Sequence, residues 1–434
     1  MFQGILIIAL FIVIAGLMIS KKIPTLLALP LLALGILLIS GVPMKGQNAD
    51  GQEIGYLQTV FEAGATRMAA AYIAAVFGAW LGQLMNKSGV TENMIKKAAE
   101  LGGDRPLIIT VILSAVVALL FTTLSGLGSV IMVGTIVLPI MVSIGIPALS
   151  AAAIYLMSFA TGLSFNIANW QNYSNIFGLP LEDIKSFSYI VFICTAVATV
   201  VIILREFKMN GIKFAFSAPS SEVAPRANEI KGFTGAMAMF TPIVPIILVA
   251  LFKVPVIPAF FAGIFWILIF TFKSWQKSMN MLTKTCYDGI SDAAPAIILM
   301  VGIGILYLAV THPMVKDVLA PFMTAINPST RITYILFFIL LAPLALYRGP
   351  LNLFGLGSGI AALFISLGLM PVLAVMGAFL SVERMQAVGD PTNTQNVWTA
   401  NFAGVEVNTL TKKLVPYLWA VTAVLVIAAS VLYF

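Results

Sequence analysis

A chain of 434 residues, 60% of them hydrophobic and only 9% charged, with a mean hydropathy of +1.03, has more apolar surface than a water-soluble domain can hide, since such domains carry about 25% charged residues. The formal net charge of +7 does not point to nucleic acid, because the basic residues lie in short clusters between apolar runs, where the positive-inside rule accounts for them. Cys194 and Cys286 are far apart and share no metal-ligand spacing, so neither a disulfide nor a metal site is expected.

The apolar runs are about 17 to 25 residues long and lack period-two alternation, which predicts an all-α polytopic membrane protein and excludes a barrel. The first run, residues 2–20, lacks a basic leader and is followed by Lys21-Lys22 without a small-residue cleavage site, so it reads as a span and not as a removable signal. Spans follow at 23–41 and 57–86. A longer apolar stretch, 106–145, is interrupted by Leu124-Ser125-Gly126-Leu127-Gly128-Ser129. Further spans cover 148–178 and 187–204. A polar stretch from Arg205 to about Thr234, with Ser217, Pro219, Ser220, Ser221 and Pro225, reads as a linker. The second half offers spans at 237–252, 255–272 and 287–311, a broken stretch at 332–368, and spans at 369–400 and 414–434. The domain expectation is a first repeat over 1–204 with a hairpin at about 106–145, a cytoplasmic linker over 205–236, and a second repeat over 237–434 with a hairpin at about 332–368.

With the amino terminus outside, sixteen Lys and Arg residues fall in cytoplasmic loops, including Lys21, Arg105, Lys213, Arg226 and Lys231. Only Lys45, Lys185, Lys253, Lys316 and Arg331 fall opposite. The count requires each broken stretch to enter and leave on one face, as a re-entrant hairpin or as two full spans.

Three landmarks recur in the same order about 225 positions apart, the mark of an internal duplication. Phe61-Glu62-Ala63-Gly64 is echoed by Tyr287-Asp288-Gly289, Gly126-Leu127-Gly128-Ser129 by Gly355-Leu356-Gly357-Ser358, and Asn169-Trp170-Gln171-Asn172 by Asn393-Thr394-Gln395-Asn396. By the charge count the two copies cross in opposite directions, so an inverted repeat is expected, with substrate and ion sites near the midplane.

Glycines at the two tips permit tight turns and close backbone approach, and a helix starting just after each adds a partial positive charge that favours an anion. Glycines in membrane helices also serve close packing. Thr122, Thr123 and Ser125 flank the first tip, and Arg348, Gly349 and Asn352 the second. An arginine at membrane depth costs about 2.5 to 3.5 kcal/mol or more, so Arg348 is expected to face a cavity or a partner, and its fork suits a carboxylate. It can also snorkel or pair with an acid such as Glu383. The stretches Asn166 to Asn172 and Asp390 to Asn396, the latter containing Pro391, are too polar for lipid-facing helix and are expected to be unwound. Their carbonyls and side-chain oxygens suit a sodium ion, Asp390 suits a proton, and the amides can equally be interhelical glue. Glu62 and Arg67 read as an interfacial pair, Glu383-Arg384 as an internal pair, and His312 as a loop residue. The chain shows no nucleophile and base set, phosphate loop or dinucleotide motif, so no enzymatic activity and no cofactor are expected.

Two broken stretches with small polar tips, each followed by a span interrupted by a polar loop such as Asp390-Pro391-Thr392-Asn393, resemble the ion transporter superfamily of divalent anion/sodium symporters and citrate, dicarboxylate and gluconate carriers. The resemblance implies a scaffold domain, a homodimer, and a mobile transport domain that moves as an elevator. It places the tips at Ser125 to Ser129 and Gly349 to Ser358. The Ser-Asn-Thr tips of the divalent anion symporters are replaced here by Ser125-Gly126-Leu127 and Asn352-Leu353-Phe354.

The sequence thus leads to a multi-pass transporter of the cell inner membrane, coupling a small organic anion (citrate, a dicarboxylate or gluconate) to sodium or protons. The substrate set is Ser125, Gly126, Gly128, Ser129, Asn169, Arg348, Gly349, Asn352, Gly355, Gly357, Ser358, Asn393 and Thr394. The coupling set is Asn166, Asn172, Asp390, Thr392, Gln395 and Asn396, and no metal is expected beyond sodium. Alternatives are a sodium/proton antiporter and an amino-acid carrier.

Overall fold

A computed structural model describes residues 1–20, 22–47, 51, 53–212 and 232–434. Most of the expected linker, with Ser217, Pro219, Ser220, Ser221 and Pro225, lies outside the described residues, as do Lys21, Lys213, Arg226 and Lys231 of the charge count. Among the described residues the fold is all-helical apart from one isolated bridge between Gln47 and Glu53. Among the described residues seven helices are long and apolar enough to cross a membrane, or nine when two bent pairs are each counted as a span. The protein is a multi-pass membrane protein whose backbone polar groups are satisfied within its helices, as a hydrocarbon environment demands.

The first half begins with α1 (Phe2–Ile19) and α2 (Thr25–Ile39). A π-helical segment, Leu57–Glu62, and the short α3 (Ala63–Thr66) lead into α4 (Ala69–Lys87). Next come α5 (Val90–Leu101), the hairpin helices α6 (Pro106–Phe121) and α7 (Leu127–Ser143), and α8 (Ala148–Leu163) with α9 (Ile167–Phe177), bent by 61° at their break. The half closes with α10 (Leu181–Asn210). That helix outruns the expected 187–204 until Gly211, at φ 61°, supplies the left-handed cap that stops it.

After α11 (Gly232–Met239), α12 (Ile243–Ala250) and α13 (Val256–Thr271), the second half repeats the succession. The long α14 (Trp275–Thr311) and α15 (Pro313–Ile326) correspond to α4 and α5. A second hairpin follows: α16 (Arg331–Leu341), a 3-10 segment over Ala342–Arg348, and α17 (Gly357–Ser366). The broken pair is α18 (Val372–Arg384) and α19 (Thr394–Phe402), joined by a π-helical turn, Met385–Gly389, and α20 (Val407–Tyr433) ends the chain. The helices α5 and α15 were not expected from hydropathy. They alternate apolar and charged residues at helical spacing and are too polar to read as spans. At the head of α14, the stretch Trp275 to Cys286 is polar but helical, so this helix runs about 55 Å.

The crossing of the α3–α4 segment with α14 organises the centre. A Cβ on Gly64 would lie 2.7 Å from the Ile305 Cα, and one on Gly289 would lie 2.7 Å from the Trp80 Cα. Glycine is required at both places because the backbones touch. The two contacts are reciprocal: 289 − 64 and 305 − 80 are the same offset, and the pairing of low with high numbers makes the helices antiparallel. The expected Glu62–Arg67 pair does not form; the Arg67 guanidinium instead stacks 3.7 Å over the Tyr307 ring of α14.

Burial separates centre from periphery. In the Val372–Phe402 stretch 89% of the best apolar window is buried, against 22% for α1, so the broken helix forms the core and α1 faces lipid.

Candidate functional site between the hairpin tips and the broken helices

The first tip is the turn between α6 and α7. Gly126 adopts φ 85°, ψ 162°, a conformation open only to glycine, and α7 starts at the next residue. Asn166, at the break after α8, stitches this tip to the unwound loop: its side-chain amide donates to the carbonyls of Phe121 (3.0 Å) and Leu124 (3.1 Å), and its oxygen caps α9 by accepting from the Asn169 amide (3.1 Å). Ser129 is fully buried and donates to the Ser125 carbonyl at 3.0 Å. The tip rests on α4, where a Cβ on Gly78 or Gly82 would come within 3.2 Å of Ser125 Oγ or 3.1 Å of Ser129 Oγ.

The sequence reading missed the residue that meets this tip from α14. Asp292 accepts a 2.6 Å hydrogen bond from Gln83 of α4, and a Cβ on Gly128 would lie 2.5 Å from one of its carboxylate oxygens and 2.8 Å from the other. An internal carboxylate therefore lies against the first turn of α7, where an external anion was expected. The available signal was an acid inside the apolar 287–311 run.

The second tip is folded on itself. Tyr347 (φ 57°) and Arg348 (φ 59°) are consecutive non-glycine residues in the left-handed region, each costing about 1 to 2 kcal/mol. Asp390 holds them there. One of its oxygens accepts from the Arg348 backbone N–H (3.0 Å) and the Asn352 amide (3.4 Å), the other from the Thr392 N–H (2.8 Å) and hydroxyl (2.7 Å). The Arg348 guanidinium donates to the Phe354 carbonyl at 3.3 Å and does not reach Glu383, which pairs with Arg384 beside it. Leu353 N–H donates to the Gln386 side chain at 2.7 Å, and Ser358 Oγ to the Gly355 carbonyl at 3.0 Å. A Cβ at Gly349, Gly355 or Gly357 would strike the carbonyl of Leu344, the carbonyl of Arg348 or the backbone of Asn352. These glycines let the tip close on its own backbone, whereas the sequence suggested approach to a ligand.

Pro391, which offers no N–H and keeps Asp390 extended (ψ 113°), breaks the helix after Gly389. The carbonyls freed by the break are met by amides. Asn393 donates to Gln386 (2.6 Å) and Ala387 (3.2 Å), Gln395 to Ala387 (3.0 Å), and Asn396 to Ala387 (3.3 Å) and Asp390 (2.9 Å). Thr394 is exposed at the start of α19. After this, Asn396 Oδ1 has no protein partner, and Asn172, which ends the similar first-half motif, has none for either Oδ1 or Nδ2, although both residues are 2% exposed. Buried polar atoms in native proteins are nearly always paired, and these are among the buried side-chain atoms that no other protein group meets.

The halves are tied together by Arg384, another residue the sequence reading undervalued. Fully buried, it donates to the Ala160 carbonyl of α8 at 2.8 Å and reaches Tyr173 of α9 at 3.5 Å. Each tip is thus bonded to the unwound loop of its own half, and Arg384 joins the two broken helices.

No family model matches the chain, and no curated protein matches it. Among solved structures, the YdaH transporter of Alcanivorax borkumensis, described as having an unusual topology, superposes with a TM-score of 0.66 at 15% sequence identity, covering 94% of this chain and 98% of that one. At that identity the likeness is one of fold.

Proposed function

We propose that the chain is a secondary active transporter carrying a small organic anion with a coupling cation across the cell inner membrane. The observation that carries the reading is the pair Asn172 and Asn396, buried amides on α9 and α19, the helices that follow the two breaks, whose side-chain oxygens no protein group meets. Side-chain oxygens close to a broken helix suit a sodium ion. The fold shared with a transporter supports the reading. So does the reciprocal Gly64–Ile305 and Gly289–Trp80 crossing, since a twofold relation between antiparallel spanning helices has its axis perpendicular to them, the arrangement an inverted repeat requires.

In this reading the tips at Ser125 to Ser129 and Gly349 to Ser358 are re-entrant and, with Asn169, Asn393 and Thr394, approach the substrate. Arg348 supplies the cationic group, Asn166, Thr392 and Gln395 keep the loops in shape, and Asp390 fixes the second tip. The tips and broken helices move as an elevator against the α4–α14 pair in a homodimer. The test is uptake of labelled citrate, succinate and gluconate into proteoliposomes under imposed sodium or proton gradients. Accumulation of one of them driven by one gradient is expected. Folded protein that accumulates none of them overturns the anion reading, and sodium-driven proton flux without anion uptake assigns the protein as an antiporter.

A further inference from the structure

Asp292 joins two bodies that the proposed elevator must move apart. The first tip is bonded to Asn166 and belongs with the broken helices, whereas Asp292 and its donor Gln83 belong to the antiparallel α4–α14 pair. The carboxylate is held by an amide N–H and lies against the first turn of α7, which no side chain caps by hydrogen bond. Gly128 has no side chain where the carboxylate sits, so tip and acid are in contact.

We infer that Asp292 is the proton-coupling carboxylate of this transporter: ionised, it latches the first tip to α14, and protonated, it releases the tip to move. The inference rests on the transport reading above. An ionised carboxylate only accepts hydrogen bonds, which matches the Gln83 donor and the positive end of α7. Protonation removes the charge and puts a hydrogen on an acceptor, and so weakens both contacts. One proton taken up by the Asp292 carboxylate on one face and released on the other balances each cycle.

The charged groups nearest to Asp292 in sequence lie a turn or more away along its own two helices. The tip and the helices α6, α7, α2 and α17 carry no titratable side chain. On α14 itself Asp288 lies one turn before Asp292 and Lys284 two turns before. On α4, Lys87 lies one turn beyond Gln83. Glu62 and Arg67 belong to the other end of the crossing, and Lys316 and Asp317 to α15.

The test needs no substrate. In detergent-solubilised full-length protein with Cys194→Ser and Cys286→Ser, Ser129→Cys is labelled with a charged methanethiosulfonate, and its rate is divided by that of the exposed Phe402→Cys in the same background, which removes the general fall of thiolate reactivity at low pH. The normalised rate should rise about tenfold between about pH 8 and pH 5.5. Asp292→Asn should be fast at both pH values. Gln83→Leu, which removes a donor to the charged form, should move the midpoint to higher pH, and it serves as the second variant should Asp292→Asn fail to fold. A flat profile in the native background, or an unaltered profile in either folded variant, overturns the assignment. Opening at about pH 8 by sodium alone, lost in Asp292→Asn, overturns the choice of the proton. Because labelling contains no anion, its outcome is independent of the uptake experiment.

Discussion

Replacing Asp390 by Asn separates a strut from an ion site. The carboxylate accepts four hydrogen bonds, two from the second tip and two from Thr392. In the variant, one acceptor becomes an NH2 group. Its better placement is toward Thr392, where the hydroxyl can turn to accept, so the Thr392 N–H loses its partner and the remaining bonds lose their charge. Hydrogen bonds to charged groups contribute about 1.5 to 3 kcal/mol and neutral ones about 1, so the tip should be loosened by about 3 kcal/mol. The left-handed Tyr347 and Arg348 will then relax, because nothing else named here holds the Arg348 N–H. Peptide-resolved hydrogen exchange over residues 345–356 and 388–396 reads this as local opening. About 3 kcal/mol corresponds to roughly a hundredfold faster exchange, and KM for the transported anion should rise with the ion dependence preserved. Unchanged exchange over 345–356 refutes the strut. Unchanged exchange with altered ion dependence makes Asp390 a coupling residue.

Other outcomes follow from particular contacts. Arg348→Ala should abolish binding of the carboxylate substrate, with Lys restoring part of it because the bidentate fork is lost, measured as ligand-induced thermal stabilisation. Gly64→Ala and Gly289→Ala should each cost about 1 to 3 kcal/mol by overpacking, and by similar amounts, since both press on backbone at 2.7 Å; markedly unequal melting shifts count against the reciprocal crossing. Single cysteines at 129 and 358 should react with an impermeant thiol reagent from opposite faces of the membrane, and labelling of both from one face removes the inverted repeat. His312, between α14 and α15, is nearly buried, and burial pushes its imidazole below the usual range. The folded state then binds fewer protons than the unfolded one, so stability is full above about pH 6.5 and falls as pH drops through the window below it. His312→Gln should flatten that acid limb of the melting curve.

Much of the architecture was legible because a bilayer leaves few choices. Runs such as 2–20 and 106–121 must be helices, and Gly126 and Pro391 interrupt them for local reasons, one by its conformation and the other by its missing N–H. The polarity of Asn166 to Asn172 and Asp390 to Asn396 marked the two breaks, but the chain is unwound only up to Asn166 and over Asp390 to Asn393. The amides from Ile167 and from Thr394 onward lie on α9 and α19, where Asn172 and Asn396 are buried in helix rather than set in a loop. Asp292 and Arg384 were harder. Each is one charged residue in a helix, and whether it snorkels, pairs with a neighbour or crosses to another helix depends on what packs opposite.

Hydrophobic length, basic-residue bias and repeated short motifs are properties of the chain itself, and they determined that this is a multi-pass helical membrane protein with one apolar stretch broken near a glycine-rich tip in each half. Which polar atom meets which partner was decided only by the tertiary fold. Hydrogen bonds act over about 3 Å, and the groups that matter here lie far apart in sequence: Gln83 with Asp292, Arg384 with Ala160, Asp390 with the backbone of Arg348. Packing determined that the glycines of the second tip face their own backbone, that the amides following the second break meet carbonyls, and that no protein group meets the side-chain oxygens of Asn172 and Asn396. Composition records how polar a segment is, but only the folded arrangement settles which of its polar groups are already paired and which remain open.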